Sequence, residues 1–401
     1  MRIDQLLPVL GVHDAIGAHV LQTRRALRAA GYESDLYADV VDESLAAEVR
    51  PWLDGPGRIS TGRAVLYHAS THAPFTPWLE HRGRLGERIL VYYHNVTPAE
   101  YFDRWLPPAA EEMRLARQEL AALAPVSGIG LAASELNERE LVDLGYRPTV
   151  TAPLLVDLER YHDEADGPTL GRLRRRRERG GAEWLFVGRI APNKCQHDIV
   201  AAFAAYRRLV DPKAHLTLVG GVTAPRYLLA LRDMVDALAV EEAVDIRSGL
   251  SHPELLAHYA AADVFVCLSE HEGFCVPLLE AMEVGVPVVA FAAAAVPGTV
   301  GDAAVLLGEK DPLTVAAAVA GLLDDDYRRR ALIDSGRRRA RCFDLASTTA
   351  GFLGAVQRFA FGSDGGSDGG SDGSDGPASP ASPAGVASGR PPCTAGCPGP
   401  G

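Results

Sequence analysis

The feature that most limits how this chain can fold is a repeated alternation. A short, largely apolar run ends in a polar turn and is followed by a stretch with helical apolar spacing. The alternation occurs in two sets. In the first, strands are expected at Ile3–Leu10, Ser34–Ala38, Ala64–His68, Arg88–His94 and Gly130–Ala133. A helix from Ile16 to Ala30 carries Val20, Leu21 and Leu27 at helical spacing and is stopped by Gly31. In the second set, strands Trp184–Val187, Leu216–Val219, Val244–Ser248, Val264–Leu268 and Pro287–Phe291 alternate with helices Gln196–Val210, Arg226–Leu238, His252–Ala261 and Pro277–Val284. Apolar strands of this kind must be covered on both faces, which βα units achieve by placing helices on either side of a parallel sheet.

The fold class is therefore α/β, with two Rossmann-like βα domains facing a cleft. The first domain is expected over 1–158 and the second over 182–345. Residues 159–181 read as a linker rich in Gly and Arg, with arginines at 172, 174, 175, 176, 177 and 179. These arginines read as a solvated face, with peripheral contact to anionic lipid heads as the alternative. A helix over 346–362 is expected to cross back to the first domain. The last 39 residues, 363–401, repeat Ser-Asp-Gly and then turn to Pro, Ala and Ser, with Val386 as the only branched aliphatic side chain. Such a segment cannot bury enough to offset its ordering entropy and is expected to be a disordered tail.

Composition excludes several classes. Forty basic against fifty-two acidic side chains leave a net charge of −12, a poor match to nucleic acid. The N-terminus lacks the cleavage site of a secretory signal. The long uncharged run from Val284 to Gly301 is broken by Pro287, Pro297 and three glycines, so buried strand and loop fit it better than a spanning helix. Six cysteines show no paired framework, and Cys393 and Cys397 lie idle in the tail. Reduced thiols and a cytoplasmic location are the expectation.

Four short segments carry the chemistry. Gly188-Arg189-Ile190-Ala191-Pro192-Asn193-Lys194 follows an apolar strand and precedes a helix, which puts two cations at the carboxyl edge of a sheet, where open α/β folds bind ligands. Both cations suit phosphate oxygens. At an effective dielectric near 20, one charge pair at about 4 Å contributes on the order of 4 kcal/mol before desolvation. The second segment is Glu272-Gly273-Phe274-Cys275-Val276-Pro277-Leu278-Leu279-Glu280. Pro277 suits the first turn of a helix, so the amides of Phe274, Cys275 and Val276 are expected to point out of a helix N-terminus, which attracts phosphate. Glu280, read on the first turn, is a candidate for the vicinal hydroxyls of a ribose, and Glu272 for a sugar beyond the phosphates.

The third segment is Tyr92-Tyr93-His94-Asn95-Val96-Thr97-Pro98. His94 closes a strand and can face the cleft, and His68 ends the preceding strand in the same way and is its rival. The fourth holds Gly17 after the first strand, where a missing side chain permits close backbone approach.

In this order the four segments resemble glycosyltransferase family 4, the retaining transferases of the two-domain architecture called GT-B. The resemblance spans residues 1 to about 360 and is most specific at Glu272, seven intervening residues, and Glu280. It implies that Arg189 and Lys194 hold the donor diphosphate, Glu280 the ribose and Glu272 the transferred sugar. His94 would stand near the donor sugar, Leu250 against the base, and the amides near Gly273 to Val276 and of Gly17 at phosphate or sugar. It further implies a nucleoside diphosphate sugar as co-substrate, no metal cofactor, and a glycan, lipid-linked or small-molecule acceptor. Two rivals share the architecture: a sugar-nucleotide epimerase and a non-catalytic nucleotide-sugar binder. The chain departs from the family at Gly298, where many members carry Glu, and at Gly17, which stands without a second glycine.

Overall fold

The computed structural model describes residues 2–11, 14–52 and 64–360, with 359 and 360 described for backbone alone. The expected tail and its two cysteines lie outside the described residues. Two parallel sheets form the framework. The first is built from β1 (Ile3–Leu10), β2 (Leu36–Val41), β3 (Arg50–Pro51), β4 (Ala64–Ala69), β5 (Arg88–Tyr93), β6 (Ser127–Ala132) and β7 (Thr149–Thr151), in the order β3-β2-β1-β4-β5-β6-β7. The second holds β8 (Glu183–Val187), β9 (His215–Val219), β10 (Val244–Arg247), β11 (Val264–Cys267), β12 (Val288–Phe291) and β13 (Val305–Leu307), in the order β10-β9-β8-β11-β12-β13.

Helices of the first unit are α1 (Ala15–Ala29), α2 (Thr76–Arg84), α3 (Pro107–Leu123) and α4 (Glu135–Asp143). Those of the second are α5 (Gly167–Glu178), α6 (Gln196–Leu209), α7 (Pro225–Ala237), α8 (His252–Ala261), α9 (Val276–Val284), α10 (Val296–Val300), α11 (Pro312–Asp324) and α12 (Asp326–Arg341). The final helix, α13 (Leu345–Ala360), returns to the first unit, where Phe352 packs 6.3 Å from the Tyr92 ring. No helix among the described residues is long and apolar enough to cross a membrane. The uncharged run from Val284 to Gly301 comprises the end of α9, strand β12 and helix α10.

Strand order places the ligand sites. In each sheet the order reverses once, between β1 and β4 and between β8 and β11. At such a switch point the loops after the two strands diverge to opposite faces and leave a crevice at the carboxyl ends. The loops after β8 and β11 are the two cation- and glutamate-bearing segments, and the strands beneath them are buried apart from Val187 at the end of β8. Trp184 anchors this sheet against α6, with its ring 5.6 Å from Phe203 and 5.1 Å from Tyr206.

The segment read as a linker contains regular structure. Residues 167–178 form α5, capped at its start by the Asp166 carboxylate, which accepts from the Thr169 amide at 2.8 Å. Leu173 is buried with Ala257 and Ala261 of α8. The arginine run hid this helix: Leu170 and Leu173 are too few to make a periodic stripe.

Candidate active site

The loop after β8 and the loop after β11 are stitched together. The Asn193 carbonyl accepts from the Glu270 amide at 3.0 Å, and the Asn193 side-chain amide donates to the His271 carbonyl at 3.0 Å. Between these bonds Lys194 Nζ meets Glu272 Oε2 at 2.6 Å. Both side chains are largely buried, Glu272 at 7% exposure and Lys194 at 14%. Lys310, from the loop after β13, fixes the same loop from behind through Glu270 and Asp198, each at 2.6 Å. Arg189 is exposed on the loop, and its guanidinium meets no protein acceptor among the described residues.

Helix α9 starts at Val276, one residue before the expected Pro277, with Cys275 as its N-cap in the left-handed region at φ 71°. Its first amides point out of the helix end, where the backbone dipoles leave a partial positive charge. The amides of Phe274 and Cys275 find no acceptor among the described residues. Glu280 lies on the second turn of α9 rather than the first, and is 8% exposed. Its Oε2 accepts from the Tyr259 hydroxyl at 2.6 Å and its Oε1 from the Tyr161 hydroxyl. Burial pushes its carboxyl above the usual range, and the two tyrosine hydroxyls oppose that rise. Each carboxylate oxygen keeps a further lone pair.

The first unit faces this loop directly. A side chain on Gly273 would place its Cβ 2.6 Å from the His94 carbonyl oxygen and 2.6 Å from Asn95 Cβ, so only glycine lets the two loops meet. His271 Nε2 reaches Asn95 Oδ1 at 2.5 Å, and Asn95 in turn donates to Asn137 at 2.9 Å. Asn95 holds this position at φ 86°, a left-handed conformation that asparagine tolerates better than most side chains.

His94 belongs to a buried histidine cluster. Its Nε2 lies 2.9 Å from His68 Nδ1, and His68 Nε2 lies 2.9 Å from Gln5 Oε1, whose amide nitrogen donates to Ser34. The Gln5 oxygen can only accept, so His68 Nε2 carries a proton. A neutral His68 then accepts at Nδ1, and His94 Nε2 must be the donor. His94 Nδ1 is left as a buried lone pair with no partner among the described residues. His19 completes the cluster with both ring nitrogens engaged, Nδ1 accepting from the Leu155 amide at 2.9 Å and Nε2 beside Thr23 at 3.3 Å. Burial holds all three imidazoles well below their ordinary pKa, His19 at about 3, so each is neutral near pH 7.

Gly17 has a packing role. A Cβ there would stand 3.0 Å from the Gly11 carbonyl and 3.2 Å from Leu10, and its amide already donates to Asp14 at 3.3 Å. Leu250 is half-buried in the loop between β10 and α8, packed on the second unit's core. Among the described residues three groups could offer metal ligands: His19, His68 and His94; Cys195, His197 and Asp198; and Cys267, Glu272 and Cys275. In each, one residue already holds a protein partner: His19 the Leu155 amide, Asp198 Lys310 and Glu272 Lys194.

Two doubly wound units whose carboxyl-edge loops meet across a crevice define the GT-B class. HepE of Anabaena, solved with UDP and glucose, superposes with a TM-score of 0.70 at 16% identity, over 89% of this chain and 99% of that one. WaaG, a glycosyltransferase involved in lipopolysaccharide biosynthesis, gives 0.66 at 17% identity, over 91% and 100%. Residues 175–339 match the family model described as glycosyl transferases group 1. Among its relatives, a D-inositol 3-phosphate glycosyltransferase of Kineococcus radiotolerans is 31% identical over 246 residues, 57% of this chain and 56% of that protein. A GDP-mannose-dependent alpha-(1-6)-phosphatidylinositol monomannoside mannosyltransferase of Mycobacterium tuberculosis is 34% identical over 212 residues, 49% and 54% of the two chains. The chain spans about half the length of the curated relatives it matches.

Sequence reasoning missed Tyr161, Tyr259, Gln5, His19, Asn95, His271 and Lys310. Tyr161 lies 119 residues from the carboxylate it binds, and Gln5 lies 63 from its histidine. None of these pairs leaves a local spacing to read.

Proposed function

We propose that the protein is a retaining glycosyltransferase that moves a hexose from a nucleoside diphosphate sugar to a hydroxyl of a glycan, lipid-linked saccharide or small molecule. The observation that carries this is the Lys194–Glu272 pair at 2.6 Å, set just ahead of the α9 N-terminus and opposite the His94 loop. In this reading Lys194, Arg189 and the helix amides meet the charge that grows on the leaving diphosphate, in a site largely withdrawn from water. No metal cofactor is needed for that charge. Glu272 accepts from hydroxyls of the transferred sugar, Glu280 from those of the ribose, and His94 Nδ1 from one further hydroxyl. The anomeric carbon–oxygen bond to phosphate breaks with its electron pair on the diphosphate. The bond to the acceptor oxygen forms on the same face, and the acceptor proton passes to the departing phosphate oxygen.

The donors to test first are UDP-glucose, bound in another HepE structure, and GDP-mannose, in the name of the mycobacterial relative. At 100 times its dissociation constant a matched donor stabilises the fold by about 2.7 kcal/mol. Transfer is then read by mass spectrometry with inositol phosphates and saccharides as acceptors, and the anomeric configuration by NMR. Absence of stabilisation by any nucleoside diphosphate sugar defeats the reading. Conversion of donor without acceptor assigns an epimerase instead, and binding without transfer to any acceptor assigns a binder.

A further inference from the structure

On the far side of the second sheet lies an open pocket of about 680 Å³ lined by Arg172, Arg175, Arg176, Arg179, Arg207 and Lys213, together with His215. It sits where β8 and β9 begin. The candidate active site sits where β8 ends, so the five residues of β8 separate the two by about 16 Å. The cations come from three places: α5 and its C-cap, the last turn of α6, and the turn leading into β9. Arg172, Arg175 and Arg179 fall at helical spacings of three and four and share one face of α5.

Among the described residues the charge here is not balanced. Arg176 is neutralised, by Glu183 at 2.7 Å and Asp245 at 3.1 Å. Arg207 and Lys213 reach only backbone carbonyls, of Pro212 at 2.9 Å and Arg179 at 3.1 Å. Arg172, Arg175 and Arg179 meet no acceptor among the described residues, and no carboxylate lines the pocket. Two nearby histidines register the resulting potential. His215 is lowered by burial and then by Arg176 and Arg207, and His258 by burial and then by Arg172 and Arg176. A helix C-terminus favours one or two basic residues. Five without a carboxylate partner, converging in a chain of net charge −12, are more than that end requires.

We infer that this pocket is a second anion site, which takes a ligand carrying two or more clustered phosphates. The guanidinium forks of Arg172, Arg175 and Arg179 match phosphate oxygens, and Arg207 and Lys213 close the far wall. The site is independent of the proposed transfer chemistry, because none of its residues belongs to the loops after β8 or β11. The same phosphates can be presented by a soluble polyphosphorylated molecule or by an anionic lipid surface, and the experiment separates these sources.

The full-length protein is titrated with sodium tripolyphosphate by calorimetry. It is also sedimented with vesicles of phosphatidylcholine alone or mixed with phosphatidylglycerol. Both measurements are repeated on an R172Q/R175Q/R179Q variant, whose substitutions are exposed and lie outside the active site. Unchanged sugar transfer in the variant shows that it folds, and an unchanged melting temperature shows it where no transfer is seen. The expected result is tripolyphosphate binding that weakens at least about tenfold in the variant, since charge-assisted bidentate pairs are lost. Binding to phosphatidylglycerol vesicles alone, lost in the variant, assigns the same chemistry to a lipid surface. Equal binding by wild type and variant, or no binding of either probe, overturns the inference.

Discussion

Replacing Lys194 with Ala separates the structural from the chemical work of the active-site pair. Glu272 is 7% exposed and its nearest cation is Lys194 at 2.6 Å. Removing the ammonium strands a carboxylate that water barely reaches, which costs about 3 kcal/mol for a buried pair broken on one side. For a domain of 150–250 residues, where each kcal/mol shifts the melting temperature by about 2–4 °C, this amounts to roughly 6–12 °C. Glu272→Gln alone costs less, about 1 kcal/mol, because the lysine stem can turn its head toward solvent. In the double variant no buried charge is left, so most of the loss returns, leaving about 1 kcal/mol and a coupling energy of about 3 kcal/mol. The assay is a double-mutant cycle by thermal or urea unfolding, run beside sugar transfer. The double variant is expected to fold and to transfer nothing. A Lys194→Ala protein as stable as wild type, or a double variant no more stable than the single, refutes the reasoning about this pair.

Gly273→Ala inserts a Cβ within 2.6 Å of the His94 carbonyl and parts the two loops, so kcat/KM should fall on the order of 10²-fold with little change in melting temperature; full activity would refute the contact. Gln5→Leu removes the acceptor that fixes the histidine tautomers. The ¹⁵N shift of His94 Nδ1 should then move from an unprotonated value toward a mixture, and an unmoved shift would show that Gln5 does not set it. The three clustered histidines have folded pKa values below their unfolded ones, so the stability they contribute is present above about pH 6.5 and is lost as pH falls. Between pH 6.5 and 5 each should remove about 1–2 kcal/mol. Urea unfolding should show a shallower loss in His68→Gln, and an identical pH dependence would contradict the assignment.

The sequence reveals strands best where burial is complete on both faces. β1, β4, β5 and β8 are apolar runs closed by polar turns, and each lies within a residue or two of its expected bounds. β7 and β13 have three residues each, too few to show a period, and escaped notice. The loops after β8 and β11 were readable because a parallel sheet delivers them to one edge whatever else the fold does. That edge brings Lys194 to Glu272, and the spacing to Glu280 puts it on the helix that follows. What binds Glu280 was not readable, since Tyr161 and Tyr259 come from a connecting turn and another helix. Arg189 keeps its place on the loop, exposed, and meets no acceptor among the described residues. Gly17 shows the converse. A glycine at a helix start suggests ligand approach, and a Cβ on Gly17, in the first turn of α1, would meet Gly11 and Leu10.

The chain passes between the two sheets twice, once after β7 and again between α12 and α13, which leaves α13 lying on the first unit beside Tyr92. Two covalent crossings do to a pair of bodies what two pins do to a door. They forbid free tumbling and leave a swing about the line joining them. A rotation about that line would part the loops at Gly273 and Asn95, which meet across the crevice.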